Sequence, residues 1–419
     1  MSSLASRAKD LRSSPNKWVA PAVILLGLLY PFLEEPLSTL PLIGDFMPST
    51  GTVVVMIAFT MMAVGLNIVV GYCGLLDLGY VAFYAVGAYT AGWLASQHFE
   101  QVTFHFGSSV DNDKVGIHVT MWIVLIAAGL LTMLAGIIIG LPTLRLRGDY
   151  LAIVTLGFGE IIPQVVRNGD SFGGFNLTNG TFGIAPIDPV GFPILSSIAF
   201  FPDNFQTSDN RERWYYLIAF LLLLFTIFCS VRLRDSRLGR AWIAIREDET
   251  AAAAMGVPLM RTKTWAYALG AFFGGVAGAY YASFKSGAFP ADFYFNISVF
   301  LLCMVILGGM GSIWGVVVAG VILSWLNVEG LANIGTWLND NIFPQSHQIE
   351  VAKYQFGIYG IIIVLMMMFR PQGLIPEARR KREIEEGTRG VLDEPLYEMR
   401  GANEPGAGER GSGGRVPRG

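Results

Sequence analysis

Long apolar stretches separated by short polar breaks constrain the fold of this 419-residue chain more than any other feature. A bilayer core about 30 Å thick needs roughly 20 apolar residues for each helix that crosses it. Hydrophobic residues make up 53% of the chain and charged residues only 15%, against roughly 25% charged in soluble domains. We therefore expect an all-α polytopic membrane protein rather than two or three soluble domains.

The apolar stretches predict about ten transmembrane helices, each long enough to span the lipid. They cover residues 18–33, 51–70, 78–95, 119–141, 150–166, 214–231, 263–284, 293–310, 313–327 and 354–369. Residues 71–77 carry two glycines and an aspartate, so they predict either a cytoplasmic loop or a broken, re-entrant turn.

Three regions follow from this pattern. Residues 1–50 form an N-terminal region with the first span, and residues 51–376 form the membrane core. Residues 377–419 combine mixed charge with few apolar side chains, which predicts a disordered cytoplasmic tail.

The distribution of lysine and arginine predicts the orientation. With the N-terminus inside, about 14 of the basic residues before position 377 are cytoplasmic and about 6 are outside. The opposite orientation would reverse this ratio. We therefore predict that both termini are cytoplasmic and that the long polar loop 167–213 is outside.

Enzyme signatures are missing from the sequence. There is no GxxxxGK[ST] phosphate loop, no Gly-x-Ser-x-Gly elbow and no HExxH motif. The four histidines have no partners at metal-ligand spacing, so we expect no metal and no cofactor. No basic aromatic patch points to nucleic acid. Any ATP hydrolysis through a phosphate loop has to come from another chain.

Ionisable residues inside the apolar segments are few, and Asp77 and Glu160 are the two deepest. Charge at membrane depth is costly unless it faces water or a partner, so such residues are candidates for function. Together with Asn67 they form our candidate translocation path. Each has an alternative role: Asp77 as a helix cap or loop residue, and Glu160 as a hydrogen-bond partner of a neighbouring helix.

Small residues recur every four positions in two segments, as Gly270, Gly274 and Gly278 and as Gly311 and Gly315. Such spacing places them on one face of a helix, where two backbones can approach closely. The pattern predicts helix packing, either within the chain or against a second subunit.

The cytoplasmic loop 232–262 is the most informative segment outside the membrane. Residues 239–255 contain strong helix formers, and Gly256 and Pro258 end the run. We predict a short helix on the cytoplasmic face that docks onto a partner, with an ordinary charged connector as the alternative.

Four stretches, in this order, are similar to the branched-chain amino-acid ABC transporter permease family, and within it to the high-affinity permease of the M type. They are residues 65–90 (GLNIVVGYCGLLDLGYVAFYAVGAYT), 143–160 (TLRLRGDYLAIVTLGFGE), the loop 232–262 continuing through Lys263, and 308–320 (GGMGSIWGVVVAG), with FRPQGLIP at 369–376 closing the core. The resemblance covers most of residues 50–376.

The resemblance implies an importer permease bundle that moves leucine, isoleucine or valine inward by alternating access. It also implies a bacterial inner-membrane location and several partners: a second permease, two ABC ATPase subunits and a periplasmic binding protein. An ABC permease for urea or short amides is the first alternative. An ion-coupled secondary transporter is the second, although no convincing inverted repeat is visible.

The resemblance also identifies an ATPase-docking loop. Many importers carry Glu-Ala-Ala, three further residues and Gly at this place. Ala251, Ala252 and Gly256 match that pattern, whereas Thr250 occupies the glutamate position with Glu249 beside it. The flanking Arg240 and Arg246 complete the predicted docking residues.

Overall fold

The computed structural model describes residues 25, 27–34, 36, 47–107, 113–146, 148–171, 173–191, 210–341, 350–370 and 372–375. Residues 27–34 are helical within the predicted first span, and the rest of 18–33 falls largely outside the described residues. The predicted tail, 377–419, also lies outside them, so the proposed domain boundaries stay predictions.

Twelve α-helices follow from residue 50 onward within the described residues. They are α1 Thr50–Asn67, α2 Val81–Leu94, α3 Met121–Thr143, α4 Asp149–Arg167, α5 Arg211–Asp235, α6 Arg237–Glu247, α7 Glu249–Ala254, α8 Leu259–Lys285, α9 Phe295–Gly308, α10 Ile313–Trp325, α11 Leu331–Asn341 and α12 Gln355–Phe369. A π-helix, Ile68–Tyr72, extends α1, and another, Leu326–Gly330, joins α10 to α11. The predicted ninth span, 313–327, is therefore the first part of a longer helical run.

The all-α polytopic fold predicted from the sequence is confirmed. Seven helical runs within the described residues are long and apolar enough to cross a membrane. The helices α2 and α8 are not among these seven. The apolar helix α2 has only 14 residues. The helix α8 has 27 residues, but it is rich in glycine, alanine and tyrosine rather than in strongly apolar side chains. The number of ten spans stays a prediction, because its first member is only partly described.

The helix α8 packs against α1, α2 and α3 through backbone that has almost no side chain between it and its neighbours. A Cβ atom added at Gly87 of α2 would lie 2.2 Å from the carbonyl oxygen of Gly275, and one at Gly278 would lie 2.3 Å from that of Tyr84. A Cβ at Gly270 would lie 2.5 Å from the side chain of Val69. These contacts are inside the chain, so this stripe of glycines packs within the chain rather than against a second subunit.

The second glycine pair belongs to a turn as well as to a helix. Gly311 precedes α10 and has a φ of +89°, so it is not on the predicted helical stripe. Gly315 lies in the first turn of α10, where a Cβ would be 2.0 Å from the carbonyl oxygen of Gly308. Leu374 then donates its amide to the carbonyl of Leu307 at 2.9 Å, which brings the end of the described core against this turn.

The predicted outer side carries a small three-stranded sheet of β1 Ala95–Ser96, β2 Phe104–Phe106 and β3 Ile117–Val119, in the order β1-β3-β2. The strand β3 pairs antiparallel with β1 and parallel with β2. His118 Nδ1 lies 2.8 Å from Asp188 Oδ2 and ties the sheet to the following outer loop. Burial raises the pKa of Asp188, while the hydrogen bond with His118 opposes that rise.

The close approach of α2 and α8 generates a stability prediction. Gly87→Ala should destabilise the protein by about 1–3 kcal/mol, because the added methyl group overlaps the backbone of Gly275. The matched control is Gly360→Ala in α12, where nothing lies within 4 Å of an added Cβ. Thermal unfolding of the purified protein in detergent measures both. Equal melting temperatures for the two variants would contradict the packing described here.

Candidate functional site

A non-helical stretch, residues 73–80, which we call the connecting segment, joins the π-helix after α1 to the start of α2. It begins beside Arg246 of the predicted cytoplasmic loop and enters the bundle. The hydroxyl of Tyr80 donates to the carbonyl oxygen of Gly270 at 2.8 Å, about three turns into α8. Because α2 starts at that depth, it is a half-helix, as in the discontinuous helices of many transporters.

Polar side chains from distant helices accept one amide near the end of the connecting segment and the first amide of α2. Thr155 of α4 accepts the amide of Leu78 on its hydroxyl oxygen at 3.1 Å, and Ser298 of α9 accepts the amide of Val81 at 2.9 Å. Since lipid offers no hydrogen bonds, non-helical backbone at this depth requires such partners. Neither residue stands out in the sequence, because single hydroxyls inside apolar helices are common.

Asp77 is fully buried and acts on its own segment. Its Oδ1 accepts the amide of Gly79 at 2.9 Å. Its Oδ2 has no hydrogen-bond partner within the described part of the chain. The structure therefore places this candidate path residue in the interior of the chain, where it stabilises a turn of the connecting segment.

Asn67 is fully buried at the other end of the same break. Its Oδ1 accepts the amide of Gly311 at 2.9 Å, which joins α1 to the turn before α10. Its Nδ2 has no hydrogen-bond partner among the described residues. Asn67 and Asp77 thus flank one structural feature, the break between α1 and α2.

Glu160 lies apart from these two residues. It is exposed on α4, about three turns from the start of the helix, on a surface that also exposes Ile153, Ile161 and Val165. A carboxylate on the outer surface of a single chain at this depth would face lipid unless another molecule or water covers it. It is the one candidate path residue that lies on a surface.

The predicted cytoplasmic helix 239–255 is two helices, α6 and α7, separated at Asp248. This residue is extended, with φ −154° and ψ 112°, and its carboxylate accepts the amides of Thr250 and Ala251. The hydrogen bonds from the Thr250 hydroxyl and from these two amides hold the pKa of Asp248 below its usual value. An aspartate that caps a new helix explains why the helix-forming run is interrupted.

One face of α6 is anchored to the membrane core. Trp242 is completely buried, and its Nε1 donates to the carbonyl of Thr262 at 2.8 Å. Glu249 of α7 forms an ion pair with Lys263 at 2.8 Å. Arg246 donates from Nη1 to the carbonyl of Gly71, at the end of the π-helix. The sequence did not single out Trp242 or Lys263.

The opposite face of the loop is open. Arg240, Thr250 and Ala251 are exposed, whereas Ala252 is buried. Gly256 has a φ of +86° and ends α7 with a Schellman motif, in which the amide of Val257 bonds to the carbonyl of Ala252. Met255 is 86% exposed at this tip. An exposed methionine beside small residues is typical of an adaptable docking surface.

The described residues contain no group of three or more His, Cys, Asp or Glu side chains that could hold a metal ion. The arrangement therefore consists of a half-helix break, a surface carboxylate and an anchored loop formed by α6 and α7.

Comparison with known proteins gives one family. The profile described as "Branched-chain amino acid transport system / permease component" matches residues 49–368. The high-affinity branched-chain amino acid transport system permease protein LivM of Escherichia coli is 35% identical, over 90% of this chain and 83% of that protein. A probable LivM of Methanocaldococcus jannaschii is 25% identical, over 76% of this chain and 90% of its own length.

A second type of permease matches more weakly. LivH of Salmonella typhimurium is 26% identical, over 42% of this chain and 52% of that protein. No solved structure matches.

The pairing of the connecting segment generates the second prediction. Thr155→Val should destabilise the protein by about 1–3 kcal/mol, because it leaves the partly buried amide of Leu78 without an acceptor. Thr155→Ser keeps the hydroxyl and should cost less. Thermal unfolding in detergent measures the difference, and identical melting temperatures for the valine and serine variants would contradict the role of this hydrogen bond.

Proposed function

Because this chain belongs to the branched-chain amino acid transport system permease family, we propose that it is the membrane-spanning subunit of an ATP-driven importer for leucine, isoleucine and valine. The family places it among transport permease subunits, which are not themselves enzymes. We propose two ABC ATPases as the source of energy, since the sequence contains no phosphate loop of its own.

The observation that carries the proposal is the cytoplasmic loop. A transporter driven by ATP from separate subunits needs a surface on which those subunits can push, and that surface has to be fixed to the membrane helices. The buried Trp242 and the pair of Glu249 with Lys263 provide the fixed side. The exposed Ala251 and Met255 provide the docking side.

The second permease is proposed to cover the exposed face of α4. This helix is only about one-third buried within the chain, and Glu160 would otherwise meet lipid. Between two such subunits, Glu160 would border a water-containing path for the amino acid. Asn67 and Asp77 would act indirectly, by holding the break between α1 and α2 beside α4. A periplasmic binding protein would deliver the substrate to the outer loops.

The docking surface can be tested with one bulky substitution. Ala251→Trp keeps a helical backbone but adds a large side chain to the exposed face of α7, so the ATPase should no longer seat. Gly256→Trp is less informative, because its φ of +86° would strain the loop by itself. The complete importer is reconstituted in liposomes, and uptake of labelled leucine is measured with and without ATP.

We expect Ala251→Trp to abolish ATP-dependent uptake while the protein remains in the membrane. The matched control is Ala332→Trp, the same change at an exposed position of α11, and it should leave uptake intact. Urea and acetamide serve as competitors and distinguish the alternative substrates. Uptake by this chain alone, driven by an ion gradient and indifferent to ATP, would contradict an ABC subunit.

The proposed orientation gives a further prediction. Both termini and the α6–α7 loop should be cytoplasmic, and the loop after α4 outside. In a variant whose three native cysteines are replaced by alanine, an impermeant maleimide should label Phe182→Cys in intact cells but not Ala254→Cys. Both positions are exposed. Labelling of Ala254→Cys without opening the cells would overturn the orientation.

A further inference from the structure

Arg246 is the point at which the cytoplasmic loop contacts the broken helix. Its guanidinium donates to the carbonyl oxygen of Gly71, in the last turn of the π-helix. The last carbonyls of a helix have no partner within it, and a cation is favourable there because of the helix dipole. The stem of Arg246 also lies against Gly74, where an added Cβ would be 2.9 Å from its Cγ.

The contact of Arg246 joins α6 to the π-helix, and other side chains hold each of these two elements in place. The helix α6 is fixed to the start of α8 by Trp242, so it is an extension of the membrane core rather than a loose loop. At the other side, Tyr72 lies next to α5 with its hydroxyl 3.1 Å from that of Ser230. A displacement of α6 would therefore act on the end of the π-helix through Arg246.

The far end of the connecting segment is attached to α4. The amide of Leu78 bonds to Thr155, and a Cβ at Gly79 would lie 2.3 Å from the carbonyl oxygen of Thr155. Backbone contact of this kind leaves no room for the two pieces to move independently. The segment thus connects Arg246 at the cytoplasmic surface with α4 inside the bundle.

The helix α4 is buried over only a minor part of its length within the chain. Only 33% of its span is buried, against 83% of the span formed by α1 and its π-helix. It is also the helix that exposes Glu160. Segments with little buried surface are among the parts of a fold that move most readily.

We propose that Arg246 is a positioning residue that passes movement of the docking loop to α4 through the connecting segment. When the ATPase displaces α6, the Gly71 carbonyl and Gly74 move with Arg246, and the Leu78–Gly79 end moves α4 and the surface that carries Glu160. This proposal rests on the proposed function. It adds the residue through which ATP-driven movement reaches the helix that would border the path.

The test uses the complete importer in liposomes and measures leucine uptake and ATP hydrolysis in the same sample. Arg246→Ala should assemble and hydrolyse ATP, but uptake per ATP should fall by roughly tenfold, within the range of coupling between two sites. Arg246→Lys keeps the positive charge and a hydrogen-bond donor. Its uptake per ATP should therefore lie between the values of the wild type and of Arg246→Ala. The control, Arg261→Ala, removes an exposed arginine at the start of α8 and should leave the ratio unchanged.

Hydrogen–deuterium exchange separates this role from a merely structural one. In the wild-type complex, ATP should change the exchange of residues 237–247, 73–80 and 149–160. In Arg246→Ala the change at 237–247 should remain, and the changes at 73–80 and 149–160 should be lost. An unchanged ratio of uptake to ATP, or persistence of all three exchange changes, would overturn the proposal.

Failure of the variant to assemble and absence of uptake by the wild-type complex each have a defined meaning. If Arg246→Ala does not assemble, the lysine variant decides: a reduced ratio supports the proposal, and a wild-type ratio overturns it. If the wild-type complex shows no ATP-dependent uptake, the proposed function fails by itself. Hydrogen–deuterium exchange of residues 73–80 in the isolated chain still tests the contact of Arg246. Loss of Arg246 should raise this exchange, and unchanged exchange would overturn the proposal.

Discussion

The pairing of every backbone amide in a medium without water is the constraint on which this structure depends. Regular helices meet it by themselves, but the chain leaves the helical conformation between Tyr72 and Val81. There the hydroxyl oxygens of Thr155 and Ser298 and the carboxylate of Asp77 accept freed amides. The two hydroxyl bonds attach the break to α4 and α9, so a local irregularity becomes a junction between helices.

The helices were largely predictable from the sequence, because hydropathy over about 20 residues reports directly on burial in lipid. The predicted segments 119–141, 150–166 and 354–369 agree with α3, α4 and α12 within a few residues. Hydropathy does not report on caps. The run 239–255 was therefore predicted as one helix, although Asp248 divides it, and Gly311 was assigned to a helix that begins only at Ile313.

The candidate site was predictable in its parts but not in its connections. A rare charge in an apolar segment identified Asp77 and Glu160, yet nothing in the sequence distinguished a buried turn residue from a surface carboxylate. That distinction depends on which helices surround each residue. The contacts of Arg246 with Gly71 and of Leu78 with Thr155 join positions far apart in the chain, and no periodicity records such pairs.

The position of Glu160 has a consequence for how cells make this protein. Insertion of a carboxylate at the middle of a helix costs about 2.5–3.5 kcal/mol when lipid surrounds it. Under the proposed assembly, a newly synthesised copy carries that penalty until a second permease covers Glu160. The exposed carboxylate would then distinguish an orphan subunit from an assembled one, and it would give membrane quality control a chemical mark by which surplus copies can be recognised and removed.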